Sequence, residues 1–190
     1  MDKTSQQFLY VIDKCRNIFQ KKLQDYGPAW RLLRLESITD QLYIKANRIR
    51  TIQLTGQAKI NEQIDGEFVG LINYSIIALI QRELGFADEI DIDQKQALEL
   101  YDKYASLSLQ LMQKKNHDYG EAWRQMRVSS LTDLILMKIF RIKQIEDNKG
   151  KTIASEGVEN NYFDIINYSV FALIKLWNID ENKEIKNNSL

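Results

Sequence analysis

The chain has 190 residues, 44% of them hydrophobic and 27% charged, which is typical of a folded globular protein and excludes a disordered one. Its 26 Lys and Arg residues balance 26 Asp and Glu residues. A net charge of zero excludes the broad positive surface of a non-specific nucleic-acid binder, although a local basic pocket stays open. One Pro and eight Gly leave few helix breakers, so an all-α fold is expected.

The chemistry of the chain indicates a reducing, cytoplasmic setting. The single cysteine, Cys15, cannot form an internal disulfide and lies on an apolar helical stripe, which is typical of a small core residue. The N-terminal residues lack the apolar run of a signal peptide. Asp164 and Asn167 interrupt the most apolar stretch, residues 162–177, so no membrane-spanning segment is expected.

The sequence repeats itself at an offset of 93 residues. Residues 20–52 align with residues 113–145, and 17 of the 33 pairs are identical. After a one-residue insertion, residues 72–75 match residues 166–169 at an offset of 94. We interpret the chain as a tandem duplication. The predicted parts are a first repeat at 1–87, an acidic linker at 88–92 and a second repeat at 93–190.

Three helices are predicted in each repeat. The first spans about 4–23 and again about 93–115, and Gly27 and Gly120 are expected to end it as left-handed caps. A short Trp-Arg segment follows. The Ser-x-Thr-Asp segments at 37–40 and 130–133 are predicted as capping boxes that start the second helices, which reach about 52 and 145. Polar loops then lead to third helices at about 68–84 and 162–177.

The second and third helices are apolar on nearly all sides, so one three-helix unit cannot cover its own hydrophobic surface. We therefore expect the repeats to pack around a pseudo-two-fold axis as one compact helical bundle. Two related sites are then expected, in a cleft between the repeats. A homodimer remains open.

Two cations are embedded in each apolar second helix. Lys138 and Arg141 lie three residues apart on one side, and Lys45 and Arg48 repeat the arrangement. A buried cation requires a protein carboxylate, an open cleft or a bound anion. Internal salt bridges or solvated charges are the structural interpretation, and contact with phosphate is the functional one.

Carboxylates also recur in both repeats. Acids clustered on bundle helices can hold Mg²⁺ when phosphates share the site. The alternatives are helix capping for Asp40 and Asp133, and favourable interaction with helix dipoles for the acids that precede the third helices. The candidate metal ligands are Asp40, Glu62, Asp65, Glu67, Asp133, Glu156, Glu159 and Asp164.

The third helices differ at two matched positions. The first repeat has Glu67 and Gly70 where the second has Asn161 and Asp164, so each repeat lacks one acid that the other keeps. If these residues take part in binding, the two sites are unequal. Neutral drift at unimportant positions explains the difference equally well.

Aromatic and amide side chains complete the candidate site. Trp30 and Trp123 stand beside Arg31 and Arg124, and either anchor the loop in the core or stack on a nucleobase. Asparagines on the apolar third helices must be hydrogen-bonded, within the bundle or to a ligand. The predicted substrate-binding residues are Tyr26, Trp30, Arg31, Lys45, Arg48, Asn73, Tyr119, Trp123, Arg124, Lys138, Arg141 and Asn167.

Three motifs carry a family resemblance: Lys-x-x-Asp-Tyr-Gly-x-Ala-Trp-Arg, Ser-x-Thr-Asp-x-x-x-x-Lys-x-x-Arg-Ile and Ile-Asn-Tyr-Ser. In these the chain resembles the first nucleotide-modification-associated domain family, over nearly its whole length. The resemblance implies a role in nucleotide metabolism or modification, with a nucleotide or modified nucleotide as ligand. Besides the binding residues above, it points to Asp25, Asp40, Asp118 and Asp133.

The chain also remotely resembles the MazG-like all-α nucleoside triphosphate pyrophosphohydrolases, which bind Mg²⁺ through Glu and Asp on paired helices. That resemblance implies a Mg²⁺ cofactor and release of pyrophosphate. The MazG-type signature begins with a Glu-Glu pair that this sequence does not contain, so no general base is assigned. A non-catalytic nucleotide-binding module and a helical interaction scaffold are the alternatives to the enzyme.

Overall fold

The computed structural model describes residues 1–56, 63–153 and 157–179. Within these ranges the chain forms six α-helices and two short 3-10 turns, without a β-strand. The helices are α1 (Lys3–Tyr26), α2 (Leu35–Thr55), α3 (Ile64–Leu84), α4 (Gln94–Tyr119), α5 (Val128–Asp147) and α6 (Val158–Leu176), and the 3-10 turns span Ala29–Leu32 and Ala122–Gln125. The all-α class and the division into three helices per repeat are confirmed.

The first helix of each repeat begins at a side-chain cap. The Asp2 carboxylate accepts a hydrogen bond from the backbone N–H of Ser5 at 2.8 Å. Asp93 and Gln96 form a reciprocal capping box at the start of α4. Both helices bury one apolar stripe, which in α1 includes Phe8 and Cys15, and they cover the flank of the bundle.

The centre of the bundle is the pair α3 and α6, which pack on each other and on α2 and α5 respectively. Nearly every residue in the middle of both helices is buried. Within the described ranges, α3 is also the one helix whose length and apolar composition would suit a membrane span. Because 67% of that window is buried inside the bundle, α3 is a core helix of the bundle.

Matching contacts relate the two repeats by a pseudo-two-fold axis. Asp40 pairs with Lys143 at 2.6 Å, and the repeat alignment exchanges this contact with the Asp133–Arg50 pair at 3.7 Å. Hydrogen bonds repeat the relationship, since Thr39 donates to Glu146 as Gln53 donates to Thr132. Each pair joins the start of one helix to the end of the other, so α2 and α5 are antiparallel. The two repeats therefore form one bundle.

The capping boxes predicted at 37–40 and 130–133 are wrong. The helices α2 and α5 begin two residues earlier, at Leu35 and Val128, and their N-cap arginines make no capping hydrogen bond with their side chains. The Thr39 hydroxyl lies inside the helix, where it donates to the Leu35 carbonyl at 3.1 Å as well as across the repeats. Asp40 reaches Lys143 of α5, so this repeated segment contributes contacts between the repeats instead of a cap.

Gly120 forms the predicted left-handed cap, and Gly27 does not. Gly120 is left-handed at φ 57° and ψ 39°, whereas Gly27 combines φ 67° with an extended ψ of −169°. Gly27 precedes Pro28, whose ring disfavours helical ψ in the residue before it, and Gly120 precedes Glu121 instead. Both helices run to the tyrosine before the glycine, which is beyond the predicted ends.

The acidic segment between the repeats is held by a buried arginine. Asp91 accepts two hydrogen bonds from the Arg31 guanidinium, at 2.7 and 2.9 Å, and the Arg31 side chain is only 1% exposed. The backbone N–H of Ala87 also donates to the Arg31 carbonyl at 2.9 Å. The predicted linker is therefore attached to the Trp-Arg turn of the first repeat.

Candidate functional site

A cavity of about 500 Å³ opens within the first repeat, between the end of α1, the first Trp-Arg turn and α3. We call it the repeat-one pocket. It contains one residue of α2, Lys45, and most of its wall is apolar. The lining residues are Ile18, Phe19, Lys22, Leu23, Tyr26, Gly27, Ala29, Trp30, Leu33, Lys45, Gly66, Val69, Gly70, Asn73, Tyr74 and Ile77.

Small residues on α3 leave this space open. Gly66, Val69, Gly70 and Ile77 line the pocket, and the repeat alignment matches them with the larger Asn160, Phe163, Asp164 and Phe171 of α6. The effect is clearest beside the tryptophans. Trp123 is covered by the stacked ring of Phe171, with centroids 4.2 Å apart, whereas Trp30 faces the open pocket.

The polar edge of the repeat-one pocket is built around one carboxylate. Glu67 pairs with Lys45 at 3.3 Å and also with Arg48. The Lys45 ammonium lies 5.7 Å from the centre of the Tyr74 ring, a distance suited to a cation–π contact. Lys22 and Tyr26 are exposed and line the same pocket.

A second cavity, of about 720 Å³, lies within the second repeat between α4, α5 and α6. We call it the repeat-two pocket. Four of its eleven lining residues are charged, which makes it more polar than the repeat-one pocket although apolar atoms still form much of its wall. The lining residues are Leu111, Lys115, Lys138, Phe140, Arg141, Gln144, Ile145, Gly157, Asn160, Asn161 and Asp164.

The charges of the repeat-two pocket are arranged differently. Asp164 is 9% exposed and pairs with Lys138 at 2.7 Å and with Lys115. Asn161 replaces Glu67, and its amide donates to the Gly157 carbonyl at 3.0 Å. Arg141 therefore lines the pocket without a carboxylate partner among the described residues.

Tyr26 and Tyr74 line the repeat-one pocket, whereas their counterparts Tyr119 and Tyr168 lie outside the repeat-two lining. Burial, together with nearby Tyr74 and Asp25, raises the pKa of Tyr26. Burial, Asp164 and Tyr119 raise the pKa of Tyr168, which the Arg141 charge opposes. The hydroxyls of Tyr26 and Tyr168 are therefore neutral hydrogen-bond donors at ordinary pH.

The two Trp-Arg arginines are held by protein groups, in a different way in each repeat. Arg31 is surrounded by Asp91, Gln81 and the Gly85 carbonyl and is closed to solvent. Arg124 pairs with Glu121 at 2.7 Å and lies 4.4 Å from the centre of the Trp123 ring.

Two differences between the repeats accompany the different paths of these arginines, since Glu121 stands at the position of Pro28 and Lys175 at that of Gln81. Gln81 donates to the Arg31 carbonyl and also accepts from its guanidinium. Its counterpart Lys175 donates to the Arg124 carbonyl at 2.7 Å but is a cation without an acceptor, so it repels the guanidinium toward Glu121.

The two asparagines have partners inside the bundle. Asn73 donates to the Cys15 carbonyl at 3.2 Å and accepts from the Tyr101 hydroxyl at 2.9 Å, although it also lines the repeat-one pocket. Asn167 accepts from the Ser108 hydroxyl at 2.8 Å. The amide nitrogen of Asn167 is buried without a hydrogen-bond partner among the described residues, so its internal contacts are incomplete.

The candidate metal ligands are dispersed. Asp40 pairs with Lys143, and Asp133 pairs with Arg50. Asp65 accepts a hydrogen bond from the Trp177 indole at 3.0 Å, and Glu159 pairs with Arg82 at 3.4 Å. Glu67 and Asp164 face lysines and arginines of their own repeats. Glu62 and Glu156 lie outside the described residues.

Because of this dispersal, the part of the chain that the structure describes contains no group of three or more acidic, histidine or cysteine side chains suited to a metal ion. The candidate carboxylates that the structure describes have protein donors as their observed partners. The Mg²⁺ prediction remains a prediction.

The structure also adds residues that the sequence interpretation did not select. Lys22 and Lys115 are matched in the repeat alignment and line the two pockets. Their identity in both repeats was the available signal. Tyr119 is 73% exposed and lies outside the repeat-two lining. Both named pockets lie inside single repeats, while a separate cavity of about 710 Å³ lies between the repeats, at α2 and α5.

The fold and these pockets define a protein built from two copies of one three-helix domain. Residues 22–82 and 115–176, together 123 of the 190 residues, match the model of a family described as nucleotide modification associated domain 1. The chain therefore belongs to this family and contains its domain twice. Comparisons with curated proteins and with solved structures gave no significant match.

Proposed function

We propose that this protein binds a nucleotide in the repeat-one pocket, as a binding module of nucleotide metabolism or modification. The base would lie in the apolar part beside Trp30, and the phosphates would reach Lys45 and Lys22 at the polar edge. A volume of about 500 Å³ is in the usual range for small-molecule pockets, which are mostly apolar with a few polar groups at fixed positions.

The observation that carries this proposal is the open space beside Trp30. The repeat-one pocket combines an apolar wall with nearby cations, which suits a ligand that has a flat ring and a negatively charged group. The matched space beside Trp123 is filled by Phe171, so packing alone does not require the open space. The family description supports a nucleotide as the ligand.

Hydrolysis is not part of the proposal. A Mg²⁺-dependent reaction needs clustered oxygen ligands, and the described candidates are instead paired with protein donors. Nucleotide binding without hydrolysis requires only the repeat-one pocket and its cations. Magnesium therefore enters as a variable in the experiment.

Binding can be measured by calorimetry and thermal shift with nucleoside mono-, di- and triphosphates, with and without Mg²⁺. A ligand at 100 times its Kd stabilises the native state by about 2.7 kcal/mol. At about 2–4 °C per kcal/mol for a chain of this size, the melting temperature should rise by roughly 5–11 °C.

The test variant is Lys45→Met, which keeps most of the aliphatic volume and leaves Glu67 paired with Arg48. Loss of a charge-assisted contact with phosphate should cost about 1.5–3 kcal/mol, or roughly 10–150-fold in Kd. Lys95→Met removes the same charge from an exposed position of α4 and should bind normally.

If no nucleotide shifts the melting curve at millimolar concentration, the proposal fails and an interaction scaffold is the remaining interpretation. Equal weakening in both lysine variants would show a general charge effect instead of a site. If the protein releases pyrophosphate above background and this release requires Mg²⁺, the protein is a hydrolase. That result would overturn the proposal that it only binds the nucleotide.

A further inference from the structure

We infer that the repeat-two pocket is a separate binding site for a small polyanion, of the di- or triphosphate class. The inference does not depend on the proposed nucleotide binding, because it concerns different residues in the other repeat. It rests on the excess of positive charge in this pocket, on the position of its one carboxylate and on the amide side chains that line it beside the cations.

Three cations line the repeat-two pocket, and one carboxylate faces them. Asp164 uses both of its oxygens, one for Lys115 and one for Lys138, so its charge serves the two lysines. Arg141 lies one helical turn from Lys138 on α5 and lines the same cavity. Among the described lining residues two positive charges are left over, which a bound polyanion would balance.

A shift of one acid along the third helix produces this excess. In the first repeat, Glu67 pairs with both Lys45 and Arg48 and neutralises the cations of α2 together. In the second repeat the acid stands three residues later, as Asp164, and Asn161 occupies the position of Glu67. Asp164 pairs with lysines of α4 and α5, so the counterpart of Arg48 loses its carboxylate.

The wall of the repeat-two pocket suits an anion better than a base. Gln144, Asn160 and Asn161 line it beside the cations. At the matched tryptophan, Phe171 fills the space that is open in the first repeat. The cavity of about 720 Å³ is large enough for several phosphate groups with their water.

The experiment is calorimetric titration of the full chain with inorganic pyrophosphate in low-salt buffer without Mg²⁺. Arg141→Met should weaken binding at least about 10-fold, since it removes a charge-assisted donor. Asn161→Glu restores the acid of the first repeat beside Arg141 and should weaken binding to a similar extent. Lys95→Met, on the exposed face of α4, should bind like the original chain.

The decisive variant should raise the affinity for pyrophosphate instead of lowering it. Asp164→Asn keeps the size of the side chain and frees Lys115 and Lys138, so pyrophosphate should bind several-fold more tightly. A general loss of folding cannot tighten binding, and circular dichroism of each variant checks the helix content. Binding should also weaken as salt is added, because the contacts are partly exposed.

The inference is overturned if pyrophosphate does not bind, if Arg141→Met binds like the original chain, or if Lys95→Met weakens binding equally. Tighter binding by Asn161→Glu would also overturn it. Lys45→Met separates this site from the repeat-one pocket, because pyrophosphate binding should persist in that variant whatever happens to nucleotide binding.

Discussion

Lys45 lies directly across Gly70. A Cβ atom on Gly70 would stand 2.8 Å from both Cδ and Cε of the lysine, so the absence of a side chain is what lets the ammonium reach the wall of the repeat-one pocket. At the matched position of the second repeat, Asp164 pairs with Lys138 instead. The lysine of α2 thus lies over a glycine of α3, whereas the matched lysine of α5 lies against an aspartate of α6.

Gly70→Ala should weaken nucleotide binding without harm to the fold. The added methyl group meets the flexible part of Lys45, which must move, while alanine favours the helix by about 0.5–1 kcal/mol. Gly66→Ala on the same helix meets nothing within 4 Å and leaves Lys45 in place, so it should weaken binding less, with a similar gain in stability. Calorimetry and urea unfolding of both variants measure this, and equal affinities would contradict the role given to Lys45.

Asp40→Asn and Asp133→Asn should each lower the free energy of unfolding by less than about 1 kcal/mol, because both carboxylates form exposed ion pairs. Neither should alter the response to Mg²⁺. Urea titrations with and without Mg²⁺ test this. Loss of a Mg²⁺-dependent effect in either variant would return these aspartates to the role of metal ligands.

Tyr101→Phe should destabilise the protein by about 1–3 kcal/mol, because it leaves the buried carbonyl oxygen of Asn73 without its hydroxyl donor. The melting temperature should fall by roughly 2–12 °C. Tyr104→Phe is the matched control, since that hydroxyl bonds to Glu83 at the surface. Equal melting temperatures for the two variants would show that the Asn73 contact is unimportant.

Glu146→Gln should stabilise the protein at neutral pH. Burial raises the pKa of Glu146 above its ordinary value of 4.5, and Glu36, Asp40 and Asp147 add to the shift, while the hydrogen bond from Thr39 opposes it. Stability that depends on the protonated acid is therefore complete below pH 4.5 and is lost as the pH rises through the folded-state pKa. The amide cannot ionise and avoids this loss.

The gain from Glu146→Gln should be largest near pH 7 and should shrink toward pH 4. Because the carboxylate is partly exposed, screening by solvent should keep the gain below about 1 kcal/mol. Urea unfolding of both chains across that range measures it, with the exposed Glu99→Gln as control. A gain that grows in acid would show that the carboxylate is better accommodated than its burial indicates. Gln53, which donates to Thr132 in the matched contact, shows that an amide fits this geometry.

The sequence contained the information for the class of fold, because helical spacing and the repeat are local or periodic patterns. The helix starts at Leu35 and Val128 were missed because Thr39 and Thr132 serve contacts across the repeats, which imitate a capping signal in sequence. Such a contact depends on the packing of distant helices.

The site was predicted less well for the same reason. The cations of the second helices and the exchanged acids were recognised, and the expectation that each cation faces a carboxylate or an open cleft agrees with their contacts. The burial of Arg31 depends on Asp91 and Gln81, which are 60 and 50 residues away in sequence. The repeat-one pocket is open because the α3 residues that face it are small, and the sequence alone does not show which α3 residues face it.

The shift of an acid from the position of Glu67 to that of Asp164 has a consequence for how such a molecule can change. In a dimer of identical three-helix chains, every substitution appears in both subunits, so an acid gained or lost at one pocket is gained or lost at the other. Covalent fusion removes that constraint. Each half of this chain can acquire its own charge pattern while the shared α3–α6 core keeps both halves folded as one unit.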